Sequence, residues 1–205
     1  MNLKIEKIEC LTEFIVEQKI SESESIIVIP EIAEKREGYI VLNSHILIIN
    51  NKNGNVKSRF SEKGSWFSDA VRLEKIEVVY QPFKISKDSE TIGILIDYYG
   101  SSRSNPYSSK ELTLFLRNGE KLERILKDYS IQRLNGETDG MNSGIFIKHK
   151  KTIEPNINSK TEFFNLKVTD SIIKTESTDG TEKIIEKSEK IEKLKYENGK
   201  YKNVL

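Results

Sequence analysis

Apolar and polar positions alternate with a period of two over most of this chain, and turn-forming pairs cut the alternation into short runs. Residues at i and i+2 share one face of a strand, so the pattern predicts half-buried β-strands and few helices. Runs rich in Ile, Val, Tyr and Phe fall at 14–20, 25–29, 39–49, 55–60, 71–80, 91–99, 111–117, 121–126, 145–149, 163–168, 193–196 and 200–204. In Ile92-Gly93-Ile94-Leu95-Ile96 and Thr113-Leu114-Phe115-Leu116 the apolar run is nearly unbroken, as in strands covered on both faces.

Asn-Gly and Asp-Gly pairs punctuate these runs. A type I′ turn needs positive φ at both central residues, which Asn or Asp followed by Gly supplies at least steric cost. Asn53-Gly54, Asn118-Gly119 and Asn198-Gly199 each lie between two strand-like runs and predict hairpins; Asn135-Gly136, Asp139-Gly140 and Asp179-Gly180 read as turns too. One short helix is expected over 30–37, with Pro30 in its first turn and Gly38 just past its end. Segment 181–194 offers helical i,i+4 pairs, Glu186/Lys190 and Glu189/Lys193, but runs straight into a terminal hairpin through the alternating Lys193-Leu194-Lys195-Tyr196, which favours a strand. The expected fold is mostly β: an antiparallel meander sheet or sandwich built from Asn-Gly and Asp-Gly hairpins, as a single domain over 1–205.

Composition removes several function classes. Lys and Arg number 33 against 32 Asp and Glu, a net charge of +1, without the basic excess of a dedicated nucleic-acid binder. With one cysteine, Cys10, no internal disulfide is possible, which fits a reducing compartment. The opening Met1-Asn2-Leu3-Lys4-Ile5-Glu6 holds no apolar stretch of signal-peptide length. A cytoplasmic location is expected for the chain as written, and a periplasmic or envelope-associated one if a leader has been removed. No apolar run is long enough to span a bilayer, so no integral membrane segment is expected.

The candidate chemistry is that of contact, with no catalytic residue assigned. Segment 97–109, Asp-Tyr-Tyr-Gly-Ser-Ser-Arg-Ser-Asn-Pro-Tyr-Ser-Ser, has the composition of a recognition loop: Tyr98, Tyr99 and Tyr107 give rigid amphipathic area, Asn105 an adaptable hydrogen bond, and Arg103 a bidentate donor. Trp66 is either a partner anchor or core. Residues 135–140 imitate the opening of a calcium loop, but Phe146 stands where a bidentate Glu belongs, so no metal is expected. His45 and His149 lack neighbouring ligands at metal spacing, and no cofactor fingerprint or nucleophile elbow is present, so no cofactor is expected.

Asp69-Ala70-Val71, the Gly93 strand, the 99–109 segment, Leu114-Phe115, Gly119, Leu122, Leu126 and Gly136-Glu137-x-Asp139 carry a resemblance over roughly residues 28–205. The chain resembles a group of bacterial β-rich proteins sharing a Gly-Ser-Ser-Arg-x-Asn-Pro-Tyr loop before a hairpin. The resemblance implies a bacterial source and, leaders being frequent in the group, an exported or envelope-associated location; it points to no particular activity. The chain departs from the group at Gly140-Met141-Asn142-Ser143-Gly144, where a longer, cysteine-containing stretch is expected. The functional expectation is a non-catalytic protein-binding module, such as an immunity or adaptor protein, that contacts its partner through 97–109 and Trp66, its oligomeric state left open. The alternatives are a small hydrolase or carbohydrate-active enzyme assembling Asp97, Glu137, Asp139 and a histidine, and a structural envelope protein.

Overall fold

The computed structural model describes residues 9–141, 143–157 and 162–204. The readings made on residues 1–6 and on Asn142 lie outside them. The chain is mostly β and mostly antiparallel, divided into two compact units: 1–69 with 119–122, and 70–118 with 123–205.

The first unit runs through a single 3-10 turn (Thr12–Phe14) into β1 (Val16–Lys19), β2 (Glu24–Arg36), β3 (Tyr39–Asn50) and β4 (Val56–Ser68), each pairing antiparallel with the next. Directly opposed residues share a face. Ile26 opposes Ile48, Val28 opposes Ile46, and Leu42 opposes Trp66, so one side of β2–β4 is apolar and buried.

No helix forms over 30–37. The segment continues β2 to Arg36, and Gly38, at φ +86°, turns the chain into β3 instead of ending a helix. A helix of two turns is marginal alone. Pairing with Tyr39, Ile40 and Val41 gives Arg36, Lys35 and Glu34 ladder partners, and a bulge at Ala33 keeps the strand in step.

The second unit holds β5 (Val71–Tyr80), β6 (Thr91–Gly100), β7 (Tyr107–Asn118), most of β8 (Lys121–Thr138), β9 (Gly144–Pro155), β10 (Leu166–Thr178), β11 (Thr181–Glu197) and β12 (Lys200–Val204), joined as a meander. Segment 181–194 is strand, as its alternation requires. Asp179-Gly180 and Asn198-Gly199 both have positive φ at each residue, the type I′ signature. Asn135-Gly136 is not a turn but lies within β8, where Gly136 opposes Phe146.

Asp128, at φ +44°, breaks the regularity of β8, its amide and carboxylate both bonded to the Thr113 hydroxyl at 3.1 and 3.0 Å. Beyond it, Gln132 to Thr138 pair with β9. The core gathers Leu112 and Leu114 from β7, Ile125 and Leu126 from β8, Leu166 and Val168 from β10, Leu194 from β11 and Tyr201 from β12, closed by Ile85. The Tyr201 hydroxyl donates to the Phe164 carbonyl at 2.8 Å, so even this buried phenol is satisfied.

Candidate functional site

The recognition segment is shorter as a loop than its composition suggests. Residues 97–100 finish β6 and 107–109 open β7, so only 101–106 is irregular. That loop is pinned to the end of β8: Gly136 N–H donates to the Pro106 carbonyl at 2.8 Å, Thr138 N–H to Ser104 at 2.9 Å, and the Thr138 hydroxyl to Arg103 at 2.6 Å. A Cβ at Gly136 would meet Phe146 at 2.8 Å and Pro106 at 3.2 Å, so glycine lets the loop approach the strand.

Two clefts open beside this loop. The larger, about 610 Å³, has Arg72, Glu74, Asp97, Tyr99, Lys110, Arg133 and His149 among its walls, with Tyr98 also contributing. The smaller, about 430 Å³, is lined by Asn105, Pro106, Tyr107, Asn135, Glu137, Ile145, Ile147 and Lys174. Arg133 opposes His149, Asn135 opposes Ile147 and Glu137 opposes Ile145. Since i and i+2 share a face, these three pairs follow one another along a single side of β8–β9. The two clefts therefore lie in succession along one strand pair, with the end of the β6–β7 hairpin contributing lining residues to both.

Electrostatics differ along this row. Arg72 pairs with Glu74 at 3.0 Å, and Lys110 with Glu77 at 2.8 Å and Asp97 at 3.3 Å. Burial would lower Lys110, but the Glu77 and Asp97 carboxylates outweigh it and hold the ammonium above its usual range. Burial, with Glu111 and Asp128 nearby, pushes the Tyr98 phenol well up, so it stays neutral. Arg133, Lys148, Lys150 and Lys174 line the clefts and make no ion pair among the described residues. Behind the larger cleft, His149 Nδ1 meets Asp170 Oδ2 at 2.9 Å, with Asp170 only 4% exposed. The carboxylate fixes the ring's orientation and leaves Nε2 as its other polar atom.

Of the residues expected from sequence, Tyr98 and Tyr99 line the larger cleft and Asn105 and Tyr107 the smaller. Arg103 is exposed on the loop and lines neither. Trp66 is a correction: it is 6% exposed in the first unit, opposite Leu42, and is core because the register of β4 turns it to the apolar side. Of the acids suggested for a hydrolase, Asp97 is ion-paired, Glu137 lines the other cleft, and Asp139 accepts the Met141 and Ser143 amides at 2.8 and 3.2 Å, closing the β8–β9 turn. No group of three metal-ligating side chains exists among the described residues.

The first unit carries a polar row that sequence spacing did not reveal. His45 Nε2 lies 2.7 Å from Glu31 Oε2 and Nδ1 lies 2.8 Å from Ser61 Oγ; Asn43 donates to Glu31 at 3.0 Å and accepts the Gly64 amide at 3.0 Å. Hydrogen bonds from Asn43 and His45 hold the Glu31 carboxyl below its usual range. The order Ser-His-Glu imitates a nucleophile relay. Ser61 stands directly opposite His45, Glu31 lies diagonally across from it beside Asn43, and the non-ladder Gly64 amide is already taken by Asn43, so among the described residues no oxyanion donor is evident. The row's residues are 14 and 16 positions apart and meet only through strand register.

The fold and clefts define a β-rich protein with a walled groove. Comparison of the chain with protein-family models, with curated proteins and with solved structures finds no match.

Proposed function

We propose that this chain is a non-catalytic protein-binding module that takes an extended, acidic segment of a partner along the two successive clefts of β8–β9. The observation that carries this reading is the alignment of the clefts beside a pinned loop, with Tyr99 half exposed, Ile145 40% exposed and two unpaired cations, Arg133 and Lys174, on the same side of the sheet. Aromatic and aliphatic anchors give affinity, and the cations select sign. An extended segment suits the groove because its alternate side chains enter successive pockets. Selection from a random peptide library tests it. Peptides enriched in Asp and Glu around an apolar residue support the reading, and an Arg133→Glu/Lys174→Glu variant then reverses the charge preference. Failure of wild type to enrich any sequence overturns it.

One observation favours hydrolysis as a second reading: the buried Asp170 that orients His149 beside the larger cleft. That arrangement suits a general base. A panel of ester, phosphate and glycoside substrates decides, since turnover abolished by His149→Gln would establish it and no turnover would end it.

A further inference from the structure

Over most of its length strand β11 is exposed on both faces. Its inner edge pairs with β10 from Thr181 to Leu194, but among the described residues its outer edge is paired only from Lys193 onward, by β12. Every residue from 181 to 191 is exposed, including Ile184, Ile185 and Ile191 at 48, 44 and 66%. A strand wet on both faces with a free edge is poorly stabilised by itself and open to further pairing.

The sequence of that edge is self-complementary. Thr181-Glu182-Lys183-Ile184-Ile185-Glu186-Lys187-Ser188 set antiparallel against itself, centred between the two isoleucines, opposes Thr to Ser, Glu to Lys, Lys to Glu and Ile to Ile at each position. We propose that the outer edge of β11 pairs with the same edge of a second copy of this chain, forming a twofold dimer through a continuous sheet. In this register the Asp179-Gly180 turn of the second copy falls opposite Glu189 and Lys190, short of β12, which begins pairing at Lys193.

Lysines on an edge ordinarily repel foreign strands. Here each lysine faces a glutamate only when the incoming strand is another β11, so the charges reject other edges and select this one. A bulge leaves Ile185 without a partner on β10, with Thr175 opposing Ile184 and Lys174 opposing Glu186. The two isoleucines at the centre thus depart from strict alternation and are both open to a second copy. Opposite-charge and apolar cross-strand pairs supply the attraction. The contact is small, so the dimer is weak and concentration-dependent.

Sedimentation equilibrium at low salt tests the pairing. Wild type dimerises reversibly. Glu182→Lys/Glu186→Lys makes every charged position of the segment, 182, 183, 186 and 187, a lysine and weakens association on the order of a hundredfold. Adding Lys183→Glu/Lys187→Glu to those two changes inverts every charge, restores complementarity and restores the dimer. All four positions are exposed, but Glu186→Lys stands opposite Lys174 and Lys183→Glu opposite Glu176 on β10, so circular dichroism and thermal melting first establish that each variant is folded. A wild type that stays monomeric overturns the proposal, as does a dimer that survives in the all-lysine variant or fails to return in the inverted one. Peptide binding in the β8–β9 clefts is scored separately, so the two readings fail independently.

Discussion

Single residues decide the polar chemistry here, and their partners lie far off in sequence. Lys151 touches Glu192 and the Tyr129 hydroxyl, both at 3.2 Å, and sits over the Tyr129 ring at 4.5 Å. The pair is 16 and 11% exposed at the side chain. Burial opposes ionisation of Glu192, but the Tyr129 hydroxyl and Lys151 outweigh it and hold the carboxyl below its usual range. Removing one partner strands a buried charge, so Lys151→Met destabilises the protein by about 2–4 kcal/mol in urea unfolding. Ser61 is expected to behave differently from a nucleophile. A fluorophosphonate probe leaves it unlabelled, whereas His45→Ala costs about 1–2 kcal/mol through the lost row of hydrogen bonds.

At the scale of elements, turn chemistry and strand pairing contend for the same residues. Asp179-Gly180 and Asn198-Gly199 sit between strands of matching register and become turns. Asn135-Gly136 has the same chemistry, yet β8 runs through it because Phe146 opposes Gly136 and the 101–106 loop bonds its amide. Glycine is needed there for close approach, not for positive φ. Gly136→Ala pushes on the Phe146 ring and Pro106 and costs about 1–3 kcal/mol by overpacking. Backbone amide exchange checks the local part of this: Thr138, bonded to Ser104, exchanges faster in the variant as the loop loosens.

For the whole molecule, several carboxylates set the acid limit of stability. Glu31, Glu77 and Glu192 have folded-state pKa values below their ordinary 4.5, through Asn43 and His45, Lys110 and Lys75, and Tyr129 and Lys151 respectively. The unfolded chain therefore binds more protons in that range. Their stabilisation is fully present above the ordinary carboxyl range and is lost as pH falls through the folded values. Glu111 has the opposite sign, since burial and Asp128 raise it. Its contribution is lost as pH rises through its folded value, so Glu111→Gln raises the thermal midpoint at neutral pH and has no such effect at pH 4. Melting curves across both pH values distinguish the two signs.

The sequence by itself determined the class of fold, because the period of two and the Asn-Gly and Asp-Gly turns are local physics that acts whatever lies across the sheet. It determined most strand positions, the burial of both faces at Ile92 to Ile96 and Leu114-Phe115, and the self-complementary edge of β11. Tertiary structure alone decided the rest. Pro30 and Gly38 read as helix signals until β3 supplied ladder partners. Trp66 had two possible roles until its register with Leu42 made it core. The Ser61-His45-Glu31 row, the Asp170-His149 pair and the succession of clefts along β8–β9 exist only through cross-strand register. No spacing rule within a single strand encodes which residue of a distant strand will stand opposite.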